Sequence, residues 1–125
     1  MSKFEAILKE FKDALKNFEE VMQEERSEVV RDAAIKRFEL TFELAWKLIK
    51  AFLEEHHNMR CASPQSCFRE AFSQGLINYD EMWITMAEWR NLAVHTYKEE
   101  LAEDLYKKLP EALKRFQLLE KKFGE

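Results

Sequence analysis

The sequence is poor in the residues that form turns. Its 125 residues include only 2 glycines and 2 prolines, whereas average usage would give roughly nine and six. This shortage excludes a β-sandwich or barrel, because such folds need many short strands and hairpins. It also excludes a glycine-rich phosphate loop, since neither a Walker motif nor a GxGxxG motif can be formed with Gly75 and Gly124 as the only glycines. An all-α protein remains, and any chemistry in it must come from side chains.

Long apolar runs and a positive net charge are missing as well. No uninterrupted apolar run exceeds three residues, so no transmembrane helix and no membrane partner are expected. The net charge of −4 gives no sign of nucleic-acid binding over the whole chain, although a small local basic site remains compatible with it. The N-terminal residues lack the apolar segment of a signal peptide. A cytoplasmic protein of one domain over residues 1–125, with reduced thiols at Cys61 and Cys67, is therefore expected.

Apolar residues at helical spacing predict four principal helices and one short helix. The predicted ranges are about 2–24, 29–57, 64–74 (the short helix), 79–95, and a final helix carrying apolar residues from Leu101 to Phe123. Ser63-Pro64 marks the start of the short helix and Gly75 marks its end. Pro110 predicts a kink or break near Leu109. The pattern is typical of an antiparallel up-and-down four-helix bundle with one extra short helix.

The predicted helix at 79–95 is apolar on two sides. One side forms an ordinary core stripe, while Trp83, Ile84 and Val94 project in other directions at 100° per residue. A helix that is apolar on two sides is usually buried on both. In a bundle of this size a second subunit explains that burial most simply, so a homodimer is expected. The alternative is that the short helix 64–74 covers Trp83 and Ile84 within one chain.

One segment, residues 90–97, combines several polar groups suited to chemistry. The planar guanidinium of Arg90 can bind a phosphate through two hydrogen bonds. His95 titrates near neutral pH and can move protons. Asn91 can orient either the imidazole or the phosphate. An arginine and a histidine together provide the types of group that cleavage of RNA without a metal ion requires.

The spacing complicates this interpretation. Arg90 and His95 lie five residues apart, which places them about 140° apart on a straight helix. Two copies of the segment facing each other across a dimer axis would place these groups better than one copy. A structural alternative is that Arg90 pairs with Glu88 or with an acid on another helix, while His95 caps the end of its helix.

The motif Arg-x4-His-x-Tyr, formed by Arg90, His95 and Tyr97, resembles the signature of the HEPN superfamily (higher eukaryote and prokaryote nucleotide-binding domains). More closely, the chain resembles the nucleotidyltransferase substrate-binding proteins, which are HepT-like partners of minimal nucleotidyltransferases (MntA). The matching segments are residues 31–47, Ser63-Pro64, 69–72, 75–77, 90–92 and 95–97. Gln65 departs from the family, which often has arginine after Ser-Pro, so the sequence gives no support for an accessory phosphate contact there.

The resemblance implies a homodimeric helical bundle in which the two signatures meet in a cleft. It implies a ribonuclease toxin that acts on RNA such as tRNA, with Arg90 and His95 as catalytic residues and Asn91 in support. It also implies a cognate MntA-type nucleotidyltransferase that silences the toxin by adding AMP to Tyr97. Two other functions remain open, and the acidic net charge mildly favours both. One is a non-catalytic subunit that binds a nucleotide or another substrate for a nucleotidyltransferase, and the other is a purely structural helical dimer.

Other features of the sequence suggest no further site. His56, His57, Cys61 and Cys67 are zinc-type ligands, but they lack the paired spacing of structural zinc sites. Aromatic side chains such as Tyr79, Trp83 and Trp89 can stack on bases, yet at helical spacing they more often belong to a core. No metal and no cofactor are therefore expected.

Overall fold

The computed structural model describes residues 1–124 and is all-helical over that range. Five α-helices follow one another along the chain: α1 Lys3–Met22, α2 Glu28–His57, α3 Pro64–Ser73, α4 Met82–Leu92 and α5 Glu99–Gly124. A single 3-10 turn, Ala93–His95, follows α4 and begins the connection to α5. The predicted four-helix bundle with one extra short helix, here α3, is confirmed. No helix among the described residues is long and apolar enough to cross a membrane.

Capping residues set several helix ends, and two of them, Ser63 and Gly75, are predicted by the sequence. The Ser27 and Ser63 side chains accept hydrogen bonds from backbone N–H groups in the first turns of α2 and α3. Gly75 adopts a left-handed φ of 70° after α3, and the Leu76 N–H then donates to the Ala71 carbonyl at 3.0 Å. This is the hydrogen bond of a Schellman motif, in which glycine is favoured because it has no Cβ.

Aromatic rings fill the centre of the bundle. Phe38 of α2 packs against Phe18 of α1, Trp89 of α4 and Phe116 of α5, with ring centroids 6.1–6.5 Å apart. All three phenylalanines are fully buried. Burial of each such ring contributes about 1.5–3 kcal/mol relative to exposure, so this contact holds the four principal helices together.

The start of α4 and the continuity of α5 differ from the prediction. Helix α4 begins at Met82 rather than at 79, because the Asp80 carboxylate accepts a hydrogen bond from the Met82 N–H at 3.0 Å and starts the first turn there. Helix α5 continues through Pro110, so the break predicted near Leu109 is wrong, and the kink given as its alternative stays a prediction. Leu109 and Ala112 are fully buried while Pro110 is exposed. Packing of the apolar face therefore outweighs the backbone hydrogen bond that proline removes.

The second apolar side of α4 is buried within the chain. Trp83 stacks on Phe68 of α3 with ring centroids 4.6 Å apart and planes inclined by 17°. Trp83 and Ile84 are only 4% and 5% exposed. The inference of a second subunit from these two residues was therefore wrong, because both are buried within one chain and the short helix covers Trp83. A homodimer stays a prediction that needs other support.

The two cysteines form a disulfide, which contradicts the expected free thiols. Helix α2 ends at a left-handed Asn58 with φ 51°. The chain then turns back so that the Cα atoms of Cys61 and Cys67 lie 5.1 Å apart. Sequence spacing alone does not reveal such a reversal. The bond fastens the connection after α2 to the first half of α3.

We expect the disulfide to stabilise the fold modestly. A Cys61→Ser substitution should lower the free energy of unfolding by about 2 kcal/mol, because a closed loop this short restricts the unfolded chain only moderately. Urea denaturation of wild type and variant, each with and without a thiol reductant, measures this. The reductant should destabilise the wild type and leave the variant unchanged. Equal midpoints in all four samples would mean that the thiols are free in solution.

Candidate functional site

The residues of the predicted signature lie where α4 ends. Arg90 and Asn91 belong to the last turn of α4, and His95 closes the following 3-10 turn. Ala93 is buried, whereas His95 and Tyr97 are exposed. The Thr96 N–H donates to the Ala93 carbonyl at 3.4 Å and the Lys98 N–H donates to the His95 carbonyl at 3.1 Å. The segment is thus a series of tight turns that presents its functional side chains to solvent.

Arg90 is held by residues of α2. Its Nη1 donates a hydrogen bond to Glu43 Oε2 at 2.7 Å, and its guanidinium lies 5.8 Å from the centre of the Phe42 ring. Its Nε donates to Asn91 Oδ1 at 3.2 Å. The predicted alternative, an ion pair with an acid of another helix, is therefore present in this chain, and the acid is Glu43 rather than Glu88. A planar cation fixed in this way has one orientation before any ligand arrives.

Glu43 is the site residue that the sequence did not identify. Its Oε2 also accepts a hydrogen bond from Trp46 Nε1 at 3.1 Å, and Lys47 Nζ lies 3.4 Å from its Oε1. Helical periodicity places Glu43 on the polar face of α2 and indicates nothing more. Its link to Arg90 spans 47 residues, so only the packing of α4 on α2 reveals it.

His95 and Tyr97 form a second part of the site. Their ring centroids lie 6.1 Å apart with planes inclined by 70°, an edge-to-face arrangement. Tyr97 is 77% exposed. Within residues 1–124, His95 makes no hydrogen bond to the last carbonyls of α4, so it is not a capping residue of that kind. The imidazole and the phenol are both free to meet another molecule.

The structure does not bring Arg90 and His95 together. No hydrogen bond or ion pair joins them among the described residues. A 3-10 turn advances about 120° per residue, so His95 lies on roughly the opposite side from Arg90. One chain presents an anion-binding group and a proton-transfer group in different directions.

A cleft of about 230 Å³ opens beside Arg90. It lies between the N-terminus of α3 and the last turns of α4, and it is lined by Ser63, Pro64, Gln65, Ala87, Arg90 and Asn91. Gln65 faces this cleft where the resembling family often carries arginine, so Arg90 is the cation among the lining residues. A larger cavity of about 300 Å³ lies towards the start of α4, between residues 75–80 and α5, and includes none of the predicted site residues.

The other candidate groups do not form sites. Within residues 1–124, no group of three or more His, Cys, Asp and Glu side chains is placed to hold a metal ion. Cys61 and Cys67 are bonded to each other and are unavailable as zinc ligands. Trp83 and Trp89 are buried in the core and cannot stack on bases, whereas Tyr79 is exposed.

A family model matches most of the chain. This model, described as "Nucleotidyltransferase substrate binding protein like", matches residues 6–125. A Haemophilus influenzae protein named probable ribonuclease HepT is 30% identical over 84 residues, which cover 64% of this chain and 58% of that protein. The chain therefore spans less than two thirds of that relative.

Two solved structures share the fold. A Thermus thermophilus protein is 38% identical, with a TM-score of 0.81 over 87% of this chain and 94% of that one. A Haemophilus influenzae protein, whose structure is described as the fold of a substrate binding domain of a nucleotidyltransferase, is 23% identical. Its TM-score is also 0.81, over 94% of this chain and 99% of that one.

Proposed function

Because this chain belongs to the family of nucleotidyltransferase substrate-binding proteins, we propose that it is a HepT-like ribonuclease that works with a separately encoded nucleotidyltransferase. It is a cytoplasmic toxin that cleaves RNA, such as tRNA, without a metal ion. Its nucleotidyltransferase, of the MntA type, silences it by adding AMP to Tyr97. The name of the Haemophilus relative supports the ribonuclease activity, and the family supports the partner.

The observation that carries the proposal is the preset orientation of Arg90 at a cleft. Glu43 and Phe42 hold its guanidinium, so binding a phosphate costs little further ordering of the side chain. In the proposed reaction His95 takes the proton of an RNA 2′-hydroxyl, whose oxygen then attacks the adjacent phosphorus. The bond from phosphorus to the 5′-oxygen breaks, the leaving oxygen takes a proton from solvent, and a 2′,3′-cyclic phosphate forms. Arg90 stabilises the charge that develops on the phosphate. Asn91 supports the orientation of Arg90 through its Oδ1.

A second copy of the chain completes the site in this proposal. Arg90 and His95 diverge within one chain, so a partner must supply the complementary group. Leu92 and Val94 are exposed beside the signature, and Leu40 is exposed one helical turn before Glu43 on α2. Exposed apolar residues grouped around polar ones are typical of a protein interface. A two-fold interface through this surface would set the His95 of each copy near the Arg90 of the other.

Tyr97 is the acceptor of the silencing modification in this proposal. Its phenol is exposed enough to enter the active site of another enzyme. The phenolic oxygen attacks the α-phosphorus of ATP, pyrophosphate leaves, and the phenolic proton passes to solvent. The attached AMP carries a phosphodiester charge and a bulky base two residues from His95. It therefore repels and excludes the phosphate of an RNA substrate.

A second candidate function is a non-catalytic subunit that binds a nucleotide or another substrate for the nucleotidyltransferase. Two observations favour it. The net charge of −4 is unfavourable for RNA, whose affinity depends largely on phosphate contacts. The ion pair with Glu43 also lowers the positive charge that Arg90 offers to a ligand. A purely structural dimer would neither cleave RNA nor bind a nucleotide.

The ribonuclease proposal predicts cleavage that depends on His95. Purified protein should cleave tRNA in the presence of EDTA and leave 2′,3′-cyclic phosphate ends, detected by mass spectrometry of the fragments. His95→Ala should lower the rate at least about a hundredfold, as expected for a general acid or base. His56→Ala, a change of an exposed histidine at the end of α2, is the matched control and should cleave normally. Full activity of the His95→Ala variant would overturn the role of His95, and an inactive wild type that binds nucleotide would support the second candidate.

The proposal also predicts where AMP is attached. Incubation with the neighbouring nucleotidyltransferase and ATP should add at least one AMP to the peptide that contains Tyr97 and should stop cleavage. Tyr97→Phe should retain the fold, because that side chain is exposed, and should remain unmodified and uninhibited. Tyr79→Phe, at another exposed tyrosine, is the control and should be modified like wild type. Modification elsewhere, with Tyr97 untouched, would contradict this assignment.

The composite site predicts that the dimer is required for activity. Val94→Glu should convert the protein to a monomer in sedimentation analysis and abolish cleavage, since it places a charge in the proposed interface. Leu118→Glu changes a residue of nearly equal exposure, 65% against 68% for Val94, on α5, and should leave both properties intact. A monomeric wild type that cleaves RNA would rule out a composite site. Circular dichroism checks that both variants fold.

A further inference from the structure

Arg31 is a buried charged residue that the proposed chemistry does not use. It lies in the first turns of α2 and is only 3% exposed. Burial of a charge is costly unless hydrogen-bonded partners compensate for it. Its partners therefore indicate what the residue does.

Those partners come mainly from the start of α5. The guanidinium binds Glu99 through both of its terminal nitrogens, with Nη1 facing Oε1 and Nη2 lying 3.3 Å from Oε2. Nη1 also donates to Glu103 Oε1 at 2.9 Å, and Nε donates to Asp32 Oδ1 at 3.0 Å. A second arginine, Arg26, binds the other oxygen of Glu103. Paired hydrogen bonds of this kind fix direction as well as distance.

Protonation behaviour agrees with this geometry. The hydrogen bond from Arg31 holds the pKa of Glu103 below its ordinary value. The hydrogen bonds to Glu99 and Glu103 raise the pKa of Arg31 above its ordinary value. Both shifts favour the charged forms of Arg31 and Glu103, whose attraction opposes separation of α5 from α2.

The network lies directly beside the signature. Glu99 follows Tyr97 by two residues and His95 by four. The segment between α4 and α5 is held at one end by the buried Ala93 and at the other by Glu99. Between these two points, within residues 1–124, no hydrogen bond or ion pair joins the exposed side chain of His95 or Tyr97 to a helix of the bundle.

We propose that Arg31 is a positioning residue, which acts through Glu99 to hold the 95–98 segment in the place where His95 and Tyr97 react. The inference rests on the proposed function for its catalytic consequence, while the anchoring itself does not depend on any activity. Arg31 touches no substrate. Its planar fork makes two parallel bonds to one carboxylate, which the single ammonium of lysine cannot reproduce.

The test compares Glu99→Gln with Glu100→Gln. Glutamine keeps the size of Glu99 but removes its charge and one acceptor oxygen. Glu100 is an exposed neighbour that makes no ion pair among residues 1–124, so its variant is the matched control. Hydrogen–deuterium exchange of the peptide covering residues 93–102, which includes the Lys98 amide, should become about tenfold faster in the Glu99 variant. The control should exchange like wild type.

Kinetics separate positioning from simple stabilisation. With Glu99→Gln, kcat for RNA cleavage should fall about tenfold, since a small displacement of a reacting group slows the reaction. KM should stay within about twofold of the wild-type value, because Arg90 is unchanged. Arg31→Lys, which keeps the positive charge, should show the same fall in kcat with a nearly unchanged KM. A loss of stability with unchanged kcat per folded molecule would reduce Arg31 to a structural role and overturn the proposal.

The outcomes distinguish this inference from the proposed function. Unchanged exchange of the 93–102 peptide in both the Glu99→Gln and Arg31→Lys variants would overturn the anchoring. If wild type cleaves no RNA, the proposed function fails and with it the catalytic part of the inference. The exchange comparison would still decide whether Arg31 anchors the segment that carries Tyr97.

Discussion

The contact of Phe38 with Phe18, Trp89 and Phe116 joins the four principal helices, and the candidate site depends on it. Trp89 precedes Arg90 in the chain, so burial of the indole sets the position of the last turn of α4. Arg90 then lies over Phe42 and reaches Glu43 on α2. The orientation of the anion-binding group is therefore a consequence of aromatic packing in the core, and the polar contacts refine it.

Helix α2 acts as the frame of the site at two places. Its middle holds Arg90 through Glu43, and its first turns hold the start of α5 through Arg31. Between these two ion pairs lies the exposed segment that carries His95 and Tyr97. One helix thus supports both the rigid part of the site and its accessible part. This division suits a protein whose proposed catalytic histidine and modified tyrosine must meet different molecules.

Most of the fold could be predicted from local patterns. Ser63-Pro64 and Gly75 marked helix ends correctly, because capping involves residues three to five positions apart. The predictions failed where a distant part of the chain decided the outcome. Phe68 covers Trp83, buried neighbours keep α5 continuous through Pro110, and a turn after α2 brings Cys61 to Cys67. For the candidate site, the sequence proposed Arg90, Asn91, His95 and Tyr97, and it gave no signal for the contacts that Glu43 and Arg31 make.

The sequence by itself determined the helical class, the approximate helix ranges and the motif, because periodicity, turn composition and residue spacing are local properties. Only the tertiary structure decided which charges meet. The bonds from Arg90 to Glu43 and from Arg31 to Glu99 span 47 and 68 residues, and helical periodicity contains no information on such pairs. The structure also replaced the last turn of the α-helix predicted around His95 with a 3-10 turn, Ala93–His95. The tight turn after α4 rotates His95 away from the face that a straight helix predicts.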